Sequence, residues 1–173
     1  MTTDGANAPP GIEYLAGFFD GEGSVGLYVG GSRCHALRSQ LTQTRTPASN
    51  QMFEQLRARW GGSLCEFNKA NSRTALNWQV SGETAGVFLR DIVGHLVFKR
   101  DQASLAIAWL SSREAPERDE RTGRMLPRSA ARSALNERVA DLLKRMKREM
   151  HTPSELGDTL LALRSHREMG LAA

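Results

Sequence analysis

Tyr14-Leu15-Ala16-Gly17-Phe18-Phe19-Asp20-Gly21-Glu22-Gly23-Ser24 is the stretch on which the reading of this chain turns. Gly17 and Gly21 are four apart, so they share one side of a helix. Ala16 and Gly17 are small enough for another backbone to approach closely, a steric argument that holds in water as it does in membranes. Each glycine lowers helix stability by ~1 kcal/mol relative to alanine. Two in one short helix therefore ask for a compensating contact. The pattern predicts this helix from Ile12 to about Asp20, which puts Asp20 and Glu22 at its C-terminal end. That end carries partial negative charge. Two carboxylates there repel each other and the dipole, and a divalent cation would relieve all three terms; carboxylates with phosphate oxygens are the ligands Mg²⁺ prefers. The plainer alternative is a helix end with two exposed acids.

Outward from this stretch, Val25, Leu27 and Val29 alternate at the strand period, and Gly30-Gly31-Ser32 signals a turn. A second strand is expected from about Cys34 to Thr44. Thr46-Pro47 is a helix start, with a capping hydroxyl before proline at the first helical position. Met52, Phe53, Leu56 and Trp60 follow at helical spacing, and Gly61-Gly62 ends the run. Cys65 and Phe67 alternate with Glu66 and Asn68 in a third strand. Leu76, Trp78 and Val80 mark a fourth, joined to the third by a polar loop, Lys69 to Arg73. Ser81 is placed to cap a helix striped by Phe88, Leu89, Ile92, Val93 and Leu96, and Asp101 to Ser111 makes another. The order αββαββα is an α+β plan with antiparallel hairpins.

A four-stranded antiparallel sheet of this kind covers one face with helices. The other face is expected to carry Tyr28, Arg38, Gln40, Thr42, Glu66, Asn68, Asn77 and Gln79. Antiparallel sheets commonly leave one face wet, so these residues also suit a simply solvated surface. Ser112 to Ala134 is polar and Arg-rich and reads as a loop. Leu135, Val139, Leu142, Leu143 and Met146 mark an amphipathic helix with Lys144, Arg145, Lys147 and Arg148 near its end, where cations also suit the helix dipole. A last helix is expected from Ser154 to about Arg167.

At 173 residues the chain is long enough for one domain with a real core. The expected division is a disordered lead over 1–11, a core over 12–111, and a loop with C-terminal helices over 112–173 belonging to the same domain. No apolar run approaches a membrane span, and the N-terminal residues show no secretory pattern, so an intracellular protein with no membrane partner is expected. Cys34 and Cys65 have no metal-ligand spacing. The net charge of +4 comes from 23 basic and 19 acidic residues, and residues 99–150 alone hold 13 of the basic and 8 of the acidic ones, a local excess of +5. Charge alone fits a solvated surface as well as a nucleic-acid partner.

Leu15 to Gly23, LAGFFDGEG, resembles the signature of the LAGLIDADG homing endonucleases: the leading Leu-Ala-Gly, the Asp and the final Gly match, with Glu22 at the penultimate acidic position. The resemblance covers roughly residues 12–110, and αββαββα is that family's module, with a saddle-shaped sheet. It implies that motif helices pack across a twofold axis through Leu15, Ala16, Gly17, Phe19, Asp20 and Gly21. It implies that Glu22 is the metal ligand and a catalytic residue, with Asp20 supporting the helix end. Gln43 resembles a polar residue that orders active-site water, and Lys99 the active-site lysine after the third helix. Their plainer readings are a strand-end hydrogen bond and a surface lysine. One motif copy supplies half a site, so the implied partners are a second copy and double-stranded DNA at a pseudo-palindromic site. Sheet residues would read base edges, and Arg100 with later cations would hold phosphates. The implied reaction is phosphodiester hydrolysis with Mg²⁺, with Mn²⁺ as a substitute and Ca²⁺ non-productive. Such cleavage belongs to the mobility of introns and other elements. The rival expectations are a non-cleaving binder of the same fold, an intron RNA maturase or a transcription regulator, and an interaction domain unrelated to nucleic acid.

Overall fold

The computed structural model describes residues 9–29, 35–68, 74–113, 119–123, 126 and 128–171. The lead over 1–8, the Gly30-Gly31-Ser32 turn, Cys34 and the loop Lys69 to Arg73 lie outside the described residues.

Helix α1 (Ile12–Glu22) turns Leu15, Ala16, Phe19 and Asp20 inward. It runs two residues beyond the expected Asp20 because the buried Asp20 continues the inward stripe four residues after Ala16. Strand β1 (Gly23–Val29) follows with no intervening residue. The Gly23 N–H donates to the Phe19 carbonyl, and a Cβ at Gly23 would lie inside contact distance of the Phe19 ring and carbonyl, so this junction requires glycine. Strand β2 (His35–Thr44) returns antiparallel. Helix α2 (Pro47–Trp60) opens on a reciprocal cap: Thr46 Oγ1 accepts from Ser49 N at 3.1 Å and Ser49 Oγ accepts from Thr46 N at 2.8 Å. Such a box satisfies two otherwise unpaired amides. Gly61, at φ 69°, ends the helix.

Strands β3 (Ser63–Phe67) and β4 (Ala75–Ser81) form the second hairpin, and the sheet order is β1-β2-β4-β3, antiparallel throughout. Helix α3 (Gly82–Ile92) starts after Ser81, which occupies the cap position without a capping hydrogen bond; Gly82, at φ 61°, makes the entry. A 3-10 turn (Val93–His95) leads to α4 (Arg100–Ser111), and α5 (Ala130–Met146) and α6 (Pro153–Leu171) complete the chain.

Leu37, Leu41, Leu76, Trp78 and Val80 of the sheet meet α1, α2 and α3 around Phe88. The Phe88 ring stands edge-on to Phe19, Trp60 and Trp78 at centroid separations of 5.3, 5.2 and 5.1 Å, a favoured geometry. The buried residues of α5, with Leu163 of α6, extend the same core. Helix α5 begins five residues before the expected Leu135. Ser129 caps it, and Arg132, 2 % exposed, donates to Ser112 O and Oγ at 3.0 and 3.1 Å. A buried guanidinium leaves no apolar period to read. Helix α6 exceeds its expected limits at both ends. No helix among the described residues is long and apolar enough to cross a membrane.

Candidate nucleic-acid interface and reaction site

Pleating sends alternate residues to opposite faces, so register identifies the face away from α1, α2 and α3. Gly26 pairs with Arg38 and Tyr28 with Ala36; a row Ser24, Gln40, Gln79, Ser63 crosses all four strands, and Thr42, Asn77, Cys65 form the next row. Tyr28, Arg38, Gln40, Thr42, Asn77 and Gln79 thus share one face, as the alternation predicts. Glu66 and Asn68 do not. Glu66 pairs with Leu76, so β3 has the opposite parity: Cys65 and Phe67 take the outer face. Asn68 lies one residue past the strand, and Glu66 pairs with Arg45 at 3.0 Å. The short edge strand is exposed at nearly every position, so burial fixes its parity weakly.

Two contacts organise this face. The Arg38 guanidinium lies 4.7 Å from the Tyr28 ring centroid, a cation–π arrangement, and the edge of that ring lies over Gly26. The Thr42 hydroxyl donates to Asn77 Oδ1 at 3.0 Å.

Two residues expected at a reaction site, Glu22 and Lys99, lie with Asp20 where α1 enters β1. Asp20, 9 % exposed, accepts from the backbone N–H of Val97 at 2.6 Å and of Lys99 at 2.8 Å. The Lys99 ammonium donates to the Asp20 carbonyl. One buried carboxylate thus fixes the turn that carries Lys99. Glu22 is exposed at the end of a helix whose last turn has no basic residue. Desolvation pulls the Lys99 pKa below its ordinary value; the Asp20 and Glu22 carboxylates oppose that shift and Lys147 adds to it. Gln43 lies on β2 two residues past the Gly23–Leu41 pair, at this same end of the sheet, and its amide oxygen accepts from Thr44 N at 2.8 Å. Arg100 is exposed and donates from Nε to Leu96 O at 2.9 Å.

Of the six residues expected to form an interface on α1, Leu15, Ala16, Phe19 and Asp20 are buried in this chain's own core. Gly17 and Gly21 are exposed, and a Cβ at either meets nothing within 4 Å. Tyr14, 60 % exposed, stacks on Phe18 beside them at 6.4 Å. Tyr14, Gly17, Phe18 and Gly21 thus make up the outer side of α1.

No protein-family model and no curated protein sequence matches the chain. Solved structures do. The homing endonuclease I-CvuI, in complex with its target in the presence of Ca, aligns over 88 % of this chain and 93 % of its own, with TM-score 0.55 and 17 % identity. The chain has the LAGLIDADG homing-endonuclease fold. The archaeal intron-encoded homing endonuclease I-Vdi141I, complexed with DNA, aligns over 90 % of this chain and 95 % of its own, with TM-score 0.50 and 15 % identity. In this LAGLIDADG module the motif helix brings Glu22 and the Asp20-anchored Lys99 to one end of the sheet, beside the polar face. A residue outside the expected site joins them: Lys147, which follows α5, donates to Ser24 Oγ at 2.8 Å. Its visible signal was only a cationic helix end, 123 residues away in sequence.

Proposed function

We propose that the protein is a site-specific, divalent-metal-dependent DNA endonuclease that acts as a homodimer. The observation that carries this reading is the Asp20 clasp, which holds Lys99 beside the exposed Glu22 at the edge of a polar sheet face. A helix end stabilised in this way has no need of a second acid, so Glu22 is available to a ligand. Structures of this fold that contain DNA support the reading.

The donor set fits a metal that DNA completes. Both Asp20 oxygens already accept backbone N–H groups. No cluster of three His, Cys, Asp or Glu side chains forms among the described residues. At this end of the sheet, among the described residues, the chain therefore offers the Glu22 carboxylate, which suits an ion that keeps its waters and takes phosphate oxygens. A bound divalent ion would lower the pKa of the attacking water and stabilise charge on the leaving oxygen. The other tasks fall to this chain's own residues. Lys99 places positive charge where the phosphodiester gains negative charge. Gln43, whose oxygen serves Thr44, retains its amide N–H groups for water or phosphate. Arg38, Gln40, Asn77 and Gln79 face base edges, whose major-groove patterns match Arg to guanine and Asn or Gln to adenine. The open Gly17 and Gly21 surface receives a second copy across a twofold axis, which pairs two half-sites.

Single-turnover cutting of a bound duplex by wild type and Glu22→Gln at saturating Mg²⁺ tests this. Binding persists in the variant and cutting falls to background. Undiminished cutting by Glu22→Gln removes Glu22 from the mechanism; tight binding with no cutting by either protein makes the chain a non-cleaving binder.

A further inference from the structure

Lys147 is the residue that follows α5, in the C-terminal extension, yet its ammonium lies on the outer face of β1. It donates to Ser24 Oγ, and a Cβ built on Gly26 would lie 3.6 Å from Lys147 Nζ. Ser24 is two residues from Glu22 and opens the polar row through Gln40 and Gln79. Among the described residues, no carboxylate forms an ion pair with Lys147, although Arg145 in the last turn of α5 pairs with Asp141 and Glu155. The residue as a whole is exposed, but packing of its ammonium end against β1 desolvates it enough to lower its pKa. Lys147 also acts on Lys99 as a like charge. Asp20 and Glu22 offset the charge of Lys99, and no acid among the described residues offsets that of Lys147.

A cation without a counter-ion, held on a DNA-facing surface beside Glu22, is an anion site. We propose that Lys147 binds the phosphodiester on which Glu22 and Lys99 act, so that the C-terminal extension supplies part of the reaction site. This assignment rests on the endonuclease reading above. Ser24 orients Lys147, and Lys99 and Lys147 share the charge of one phosphate. Lysine serves such a group as a point charge, which needs no fixed fork geometry.

The test uses the full chain and the tightest-bound duplex selected from a randomised pool in Ca²⁺, with the scissile position mapped by wild-type cutting in Mg²⁺. Each phosphate in turn is replaced by a neutral methylphosphonate, and binding is measured for wild type, Lys147→Met and Lys147→Arg. A neutral linkage at the scissile phosphate weakens wild type about tenfold and Lys147→Met only about threefold, the remainder being the share of Lys99, while Lys147→Arg behaves like wild type. The salt slope of Lys147→Met falls by about one. Equal sensitivity of wild type and Lys147→Met at the scissile phosphate overturns the assignment while leaving the endonuclease reading intact, as does coupling confined to a distant phosphate. Failure of wild type to select or cut any duplex overturns the endonuclease reading and this assignment with it.

Discussion

Replacing Asp20 by Asn tests the clasp that holds Lys99. The Asp20 carboxylate accepts two backbone N–H groups, from Val97 and Lys99. An amide of the same shape offers one oxygen to one of them and turns a donor toward the other. Hydrogen bonds to a charged group contribute about 1.5–3 kcal/mol each. The 97–99 turn is partly open, so a released N–H regains water and the lower end applies. One lost bond and one weakened bond give about 2–3 kcal/mol of destabilisation. For a chain of this size each kcal/mol moves the melting temperature by about 2–4 °C, so Asp20→Asn melts roughly 4–12 °C below wild type. The local readout is amide hydrogen exchange at Val97 and Lys99, which quickens in the variant, while Phe88 and Trp78 in the core keep their protection under native conditions. Melting within a degree of wild type, with unchanged exchange at both amides, refutes the clasp as the device that positions Lys99.

Gly17→Leu puts a large side chain on the open side of α1, where a Cβ meets nothing; sedimentation should show weakened self-association with a monomer melting point no lower than wild type's, since leucine favours a helix over glycine, and a wild type that stays monomeric both free and on DNA defeats the dimer reading. Arg38→Ala should relax preference at one base pair by ~1–3 kcal/mol, whereas Lys144→Ala weakens all sequences alike and flattens the salt slope, and uniform loss for Arg38→Ala would argue against base reading. Desolvation holds Lys147 below the ordinary lysine value of 10.5, so between its folded and unfolded values the unfolded chain binds more protons and stability rises with pH; comparing denaturation of wild type and Lys147→Met from about pH 8 to about pH 10.5 should therefore show wild type gaining relative to the variant.

Local patterns carried most of the fold into the sequence. The Thr46-Pro47 start, the Gly61-Gly62 stop and the alternation in β1, β2 and β4 each depend on neighbours a few residues apart. Parity in β3 was illegible because Leu64, Cys65 and Phe67 put apolar residues on both faces of a strand too exposed for burial to decide. On α1 there are two stripes at the same spacing, Leu15 with Phe19 and Gly17 with Gly21. Periodicity shows that both exist without saying which faces inward, and the motif's Leu15 and Ala16 proved to be core. Asp20 was legible as support for the helix end, but its partners at 97 and 99 were not. Lys147 and Arg132 were hidden for one reason: their partners, Ser24 and Ser112, are remote in sequence, and no period in the chain links them.

Arg132 donates directly to Ser112, and Trp109 Nε1 to Asn136 Oδ1 at 2.8 Å. These bonds tie the end of α4 to the start of α5, so the polypeptide between Arg113 and Ser129 is not needed to hold the two helices in register. Insertion at the exposed positions Glu120–Gly123 between them therefore costs little by loop closure, about 0.6 kcal/mol per doubling of loop length. Those positions are the natural place to graft foreign sequence, such as a tether or a reporter, while the two helices and the sheet surface stay intact.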